Sequence, residues 1–217
     1  MTAKDMFSHR VSILTGHYGT GKTEVSVNLA LALAAEGEQV MLADLDIVNP
    51  YFRSRERRPL LEKAGVRVIS SSQACSDADV PALPAELLTI LENREIRGIL
   101  DIGGDPVGAR VLARFQPKIV QEDYQLIFVL NANRPEVRDA ESAAAYLRSI
   151  EAVTGLTCSG LVNNTHLCGE TTPAEIRKGV ALAQEVSRQT GIPILCHTAE
   201  RRFLESLSDL GEPVFPI

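Results

Sequence analysis

Gly16-His17-Tyr18-Gly19-Thr20-Gly21-Lys22-Thr23 is a complete G-x-x-x-x-G-K-[ST] loop, and its flanks set the fold class. Upstream, Val11, Ile13 and Leu14 run into Thr15 as a short buried strand. Downstream, residues 24–36 carry Val25, Val27, Leu29, Leu31 and Leu33 with no Gly or Pro and read as a helix. In a strand, glycine loop and helix of this kind, the backbone N–H groups and the positive helix N-terminus converge on a phosphate. Gly16, His17, Tyr18, Gly19, Thr20 and Gly21 form the cradle, Lys22 reaches the β and γ phosphates, and the Thr23 hydroxyl ligates magnesium.

Outward from the loop, apolar runs recur at 39–43, 66–69, 96–102, 126–130, 159–162 and 192–196, separated by helical stretches at 60–64, 83–93, 136–152 and 173–190, with a short terminal helix expected last. Strands and helices that alternate in this way predict an α/β fold, a mostly parallel central sheet with helices on both faces in three layers. The chain of 217 residues reads as one domain, and its 45% hydrophobic content with 5% aromatics suits an aliphatic core. In parallel sheets ligands bind at the carboxyl edge, and every unusual motif here follows a strand.

The net charge of −6 argues against a nucleic-acid surface, which needs clustered excess Lys and Arg. Residues 1–10 lack the apolar segment of a signal peptide, and no stretch approaches ~18 consecutive apolar residues, so a cytoplasmic protein is expected. The tail from Phe203 to Ile217 carries Glu205, Asp209, Glu212, Pro213 and Pro216, which does not make a basic membrane-binding helix. Cys75, Cys158, Cys168 and Cys196 contain no C-x-x-C pair and read as buried reduced thiols.

Acidic residues after the strands add chemistry to the loop. Asp101 ends the apolar run Gly98-Ile99-Leu100 and precedes Ile102-Gly103-Gly104-Asp105, the pattern of an acid that holds a magnesium-bound water, with Gly103 or Gly104 offering an N–H to the γ phosphate. Asp44 and Asp46, two apart just beyond the second strand, share a face in extended backbone. One can support the magnesium shell and the other orient the attacking water; Asp46 is chosen for the water and Asp44 for the metal.

The loop, the Asp44-Leu45-Asp46 pair, the acid before Gly103 and the stretch Pro135-Glu136-Val137-Arg138-Asp139 resemble the MinD/ParA branch of P-loop ATPases, in the CobQ/CobB/MinD/ParA superfamily. That group includes the nitrogenase iron protein, arsenite-pump ATPases and maturation factors, with cobyrinate amidases and dethiobiotin synthetase as relatives. The resemblance implies an ATP-switched protein in which Asp46 serves hydrolysis, and which often dimerises face to face around nucleotide. Members of the MinD, ParA and arsenite-pump type begin the loop Lys-Gly-Gly; the aligned positions here are His17-Tyr18-Gly19, so a homodimer stays an open alternative. A neutral imidazole supplies no permanent charge, although His17 could be protonated beside phosphate.

A GTPase of the usual kind reads guanine through Asn-Lys-x-Asp, whereas this chain has Asn163-Asn164-Thr165-His166 in that place. The acid is missing and an Asn amide can pair with an adenine edge, so Asn163 is expected to contact the base and ATP to be preferred over GTP. Three readings follow: an ATPase that switches a protein client, an ATP-dependent synthase or amidase that activates a small carboxylate substrate, and a nucleotide-binding module without turnover. Arg53, Arg55, Arg57 and Arg58, interrupted by Glu56, read as a solvated run or an anion- or partner-docking segment. His166-Leu167-Cys168 could form half a metal site, although scattered Cys and His more often have structural roles.

Overall fold

A computed structural model of the chain describes residues 1–46, 57–70 and 85–217. Arg53, Arg55 and Cys75 lie outside the described residues. The elements run α1 (Ala3–Met6), β1 (Val11–Thr15), α2 (Lys22–Ala35), β2 (Val40–Leu45), α3 (Arg58–Lys63), β3 (Arg67–Ser70), α4 (Ala85–Glu92) and β4 (Arg97–Ile102). They continue with α5 (Pro106–Ala109), α6 (Gln116–Ile119), β5 (Tyr124–Leu130), α7 (Ala140–Thr154), β6 (Cys158–Asn163), α8 (Pro173–Thr190), β7 (Ile194–Ala199) and β8 (Val214–Pro216). All described strand pairs are parallel, in the order β3-β2-β4-β1-β5-β6-β7-β8. The expected α/β architecture is therefore present.

Alternation along the strands divides the core into two layers. Leu14, Val40, Leu42, Ile99, Val129 and Val162 pack with α1, α2 and α3 on one face. Ile13, Met41, Ala43, Leu100, Phe128 and Leu161 pack with α4 to α8 on the other. Both strand faces are apolar because both are covered, which is why these strands read as continuous hydrophobic runs.

The helix ends follow local chemistry. Asp139 accepts Ser142 N–H at 2.8 Å and starts α7; Thr172 and Pro173 start α8. Gly155 at φ 68 and Gly191 at φ 75 end the two helices in left-handed conformation. The expected helix at 136–152 is thus divided, with a 3₁₀ turn at Pro135–Val137 before the Asp139 cap. The expected short terminal helix is replaced by 3₁₀ turns at Arg201–Phe203 and Glu205–Leu207 and by β8. Pro213 and Pro216 oppose a helix there, and β8 instead adds to the edge of the sheet. Among the described residues, no helix is long and apolar enough to cross a membrane.

Candidate functional site

The loop between β1 and α2 is closed on one carbonyl. His17 O accepts Thr20 N–H at 3.2 Å, the Thr20 hydroxyl at 2.9 Å and Lys22 Nζ at 3.3 Å. Thr20 is fully buried, so its side chain braces the loop and does not face a ligand. Lys22 is 5% exposed. Burial pushes its ammonium pKa down, while Asp101, Asp46 and Asp105 oppose the shift by favouring the charge. The expected phosphate-binding lysine is thus buried among acids.

Asp44 and Asp101 are register partners on the adjacent strands β2 and β4. They share strand parity with Leu42 and Ile99, so both belong to the α2 face beneath the loop. Asp44 lies within β2 and not beyond it; Asp46, one residue past the strand, donates its N–H to Asp44 Oδ1 at 3.3 Å. Asp101 is 1% exposed, and among the described residues neither of its buried carboxylate oxygens has a partner at normal hydrogen-bond distance. Burial and the neighbouring Asp44 push its pKa up to about 7, against the pull of Lys22 and Thr23. Buried oxygens without partners next to a second carboxylate and a threonine hydroxyl form an oxygen donor set that suits a hard divalent cation. Thr23, Asp44 and Asp101 therefore fit magnesium.

Gly104 approaches the loop closely: a Cβ there would lie 2.6 Å from Lys22 Nζ and 2.9 Å from Tyr18 N. Its carbonyl accepts the Tyr146 hydroxyl, a donor that sequence reasoning missed. His17 packs edge to face on the same Tyr146 at 4.9 Å, with Nδ1 3.7 Å from Glu136 Oε2.

Above the loop opens a cavity of about 730 Å³, whose walls include Tyr18, Gly19, Gly21, Lys22, Thr23 and Asp46. Gly16, His17, Asp44, Asp101 and Gly104 are not part of this lining, whereas Arg57 is. The far wall comes from the ends of β5, β6 and β7 and includes Arg134, Asn164, His166, Thr198 and Glu200. Cys158 and Cys196 are buried as expected, but Cys168 is exposed on this wall at φ 52. Among the described residues no three His, Cys, Asp or Glu side chains are grouped to hold a metal ion.

Asn163 does not line the cavity. Its side chain faces α8, with Nδ2 3.4 Å from Ile176 O and 3.3 Å from His197 Nδ1, and Oδ1 accepts Thr165 N–H at 3.1 Å. Asn164 is the residue on the wall: Nδ2 donates to Thr20 O at 2.9 Å, and Oδ1 accepts the Thr198 hydroxyl. Strand alternation carries this distinction, because Val162 packs on the α2 face and Asn164 shares its parity. Asn164→Ala removes two buried hydrogen bonds and unties the loop from the β6 end. The expected cost is about 2–3 kcal/mol in urea unfolding, with nucleotide affinity lower by roughly tenfold.

Comparison with known proteins bears on these features. Residues 6–55 match the ParA family, described as NUBPL iron-transfer P-loop NTPase. The cytosolic Fe-S cluster assembly factor cfd1 of Emericella nidulans is 36% identical over 95 residues, 44% of this chain and 26% of the relative. The iron-sulfur cluster carrier protein of Escherichia coli K12 is 50% identical over 40 residues, 18% of this chain and 11% of the relative. The matches thus span about a quarter or less of these curated relatives. In three dimensions, cell division protein FtsY from Thermotoga maritima superposes with TM-score 0.58 and 23% identity, over 85% of this chain and 59% of its own. The signal recognition particle 54 kDa protein of Aeropyrum pernix K1, solved with GDP, gives TM-score 0.54 and 23% identity over 85% and 40%. These two likenesses are of fold.

Proposed function

We propose, on the premise that the chain is a P-loop NTPase of the MinD/ParA-like type, that it is a cytoplasmic magnesium-dependent ATPase switching or maturing a protein client. The observation that carries this reading is the buried Asp101 carboxylate, without a partner at normal hydrogen-bond distance among the described residues and in register with Asp44 beneath a complete phosphate loop. A site for nucleotide alone has no need of such an acid, whereas a site for magnesium nucleotide does. The relatives named for Fe-S cluster assembly and carriage support a maturation role.

Lys22 and the loop N–H groups hold the phosphates. Thr23, Asp44 and Asp101 would hold magnesium, which when bound neutralises charge on the phosphate oxygens. Asp46 is 8% exposed and on the cavity wall, where it can orient a water toward the γ phosphate. Selection of ATP rests on the 163–166 segment, which carries no carboxylate to read guanine. Glu200 is also on the wall, but its carboxylate is paired with Arg202 at 2.8 Å.

The test is phosphate release from ATP and from GTP with magnesium. ATP turnover is expected to exceed GTP turnover, and to fall about 10²-fold in Lys22→Ala and Asp46→Ala. Nucleotide binding is expected to weaken in the first variant and to persist in the second. ATP that binds tightly but turns over only when a small carboxylic acid is added would replace this reading with the synthase one.

A further inference from the structure

We propose that Arg134 supplies, from within the same chain, a cation that touches the phosphate chain of the bound nucleotide, an assignment that rests on the nucleotide-hydrolysing reading above. Arg134 follows β5 in the segment Asn131-Ala132-Asn133-Arg134-Pro135. Pro135 restricts the residue before it to extended backbone, and Arg134 has φ −99 and ψ 122.

The segment is tied down at each step. Ala132 N donates to Thr165 Oγ1 at 2.9 Å, Asn133 N to Asn131 Oδ1 at 3.0 Å and Arg134 N to Asn131 O at 3.0 Å. Lys178 Nζ donates to Asn133 Oδ1 at 2.7 Å, which joins the segment to α8. The arginine is therefore delivered from a rigid base, so little entropy is lost when it binds a ligand.

The guanidinium uses one of its donors within the protein. Nε donates to Gly19 O at 2.7 Å, which hooks the side chain onto the middle of the phosphate loop. The group lies so close over Gly19 that a Cβ there would be 2.7 Å from Arg134 Cζ, so the glycine makes room for the arginine. Neither terminal nitrogen has an acceptor among the described residues, and the side chain lines the cavity with Lys22 and Thr23. On the same wall, His166 accepts Cys168 N–H at Nδ1 at 3.3 Å, which leaves its buried Nε2 as a donor without a partner among the described residues. Unspent donors on a wall above a phosphate loop call for an anionic acceptor, and the fork of a guanidinium matches phosphate oxygens.

His17 does not line the cavity: its ring packs on Tyr146 beside Glu136. Arg134 reaches the loop from the neighbouring strand end. As the attacking water oxygen bonds to the γ phosphorus, the bond to the β–γ bridging oxygen breaks and the water's proton passes to the released phosphate or to solvent. Negative charge then grows on the β phosphate of the leaving diphosphate, and a guanidinium already fixed over Gly19 stabilises it without reorganisation.

The test compares single-turnover hydrolysis and nucleotide affinity in wild type, Arg134→Ala, Arg134→Lys and, as a surface control, Arg138→Ala. Arg134→Ala is expected to slow hydrolysis about 10²-fold while ATP affinity changes less than about tenfold. Arg134→Lys is expected to recover part of the loss, guanidinium ion at sub-denaturing concentration to restore Arg134→Ala but not Lys22→Ala, and Arg138→Ala to match wild type. The proposal is overturned by an Arg134→Ala rate within about threefold of wild type. It is equally overturned by a loss that guanidinium does not restore and that tracks a lower melting temperature, because Arg134 would then only brace the loop. Wild-type protein that neither binds nor hydrolyses nucleotide would instead sink the ATPase reading itself.

Discussion

Asp101→Asn is expected to turn over ATP about 10³-fold more slowly than wild type while making the nucleotide-free protein more stable at alkaline pH. The two effects share one cause. Asp101 is buried beside Asp44 without a partner at normal hydrogen-bond distance among the described residues, and burial followed by the Asp44 charge raises its pKa from 3.8 to about 7. For an acid whose folded pKa is raised, the stabilising protonated form is fully present below the unfolded pKa and is lost as pH climbs through the folded one. Wild-type stability should therefore fall between about pH 4 and about pH 7 by this contribution, whereas the amide variant has no such charge to bury.

The gap between variant and wild type should widen by about 3 kcal/mol from about pH 5 to about pH 8. Taking the difference between the two proteins cancels the titrating groups that do not interact with Asp101, such as His166 and His197, whose pKa values burial lowers. Urea unfolding at a series of pH values measures it. A gap that stays constant with pH would mean that Asp101 is not a strained acid, and the metal-site assignment would lose its support. Magnesium nucleotide should stabilise wild type strongly and the variant weakly, because only the wild-type carboxylate gains a cation.

Gly16→Ala is expected to cost about 3–4 kcal/mol of stability and to abolish phosphate binding. Two physical terms add at this position. Gly16 has φ +143, which side-chain-bearing residues rarely adopt, and a Cβ there would be driven into Val129 O. That oxygen belongs to β5, which is held between β1 and β6, with Val129 in register with Val162, so it cannot move aside as a flexible side chain would. Gly37→Ala separates the terms: Gly37 has φ +87 with nothing within 4 Å of the added carbon, so only backbone strain of about 1 kcal/mol applies. Thermal or urea unfolding of both variants decides. Equal costs would show that the close approach at Val129 has no energetic weight.

The loop motif and the alternation of strands and helices made the architecture legible because both are local: a phosphate cradle needs its glycines within eight residues, and a covered strand needs an unbroken apolar run. The positions of Lys22, Thr23, Asp44, Asp46 and Asp101 were legible for the same reason, the first two in the first turn of α2 and the acids at the carboxyl end of an apolar strand or just beyond it. Segments 103–123 and 200–217 were not, because their elements are short and broken by Pro106, Pro117, Pro213 and Pro216. Packing against the sheet, and not propensity, decides those pieces.

The side chains that complete the cavity depend on partners distant in the chain. Asn163 and Asn164 are chemically identical neighbours, and the parity of β6 alone sends one to α8 and the other to the phosphate loop. Arg134 reads in sequence as a charged residue before a proline; its place over Gly19 requires β1 and β5 to be adjacent. The pairing of Asp44 with Asp101 likewise requires β2 beside β4. The sequence by itself determined the fold class and the phosphate-binding loop, whose physics is local. Only the tertiary structure decided which acids meet, which asparagine faces the cavity and where the arginine is delivered, because those are set by strand order and register.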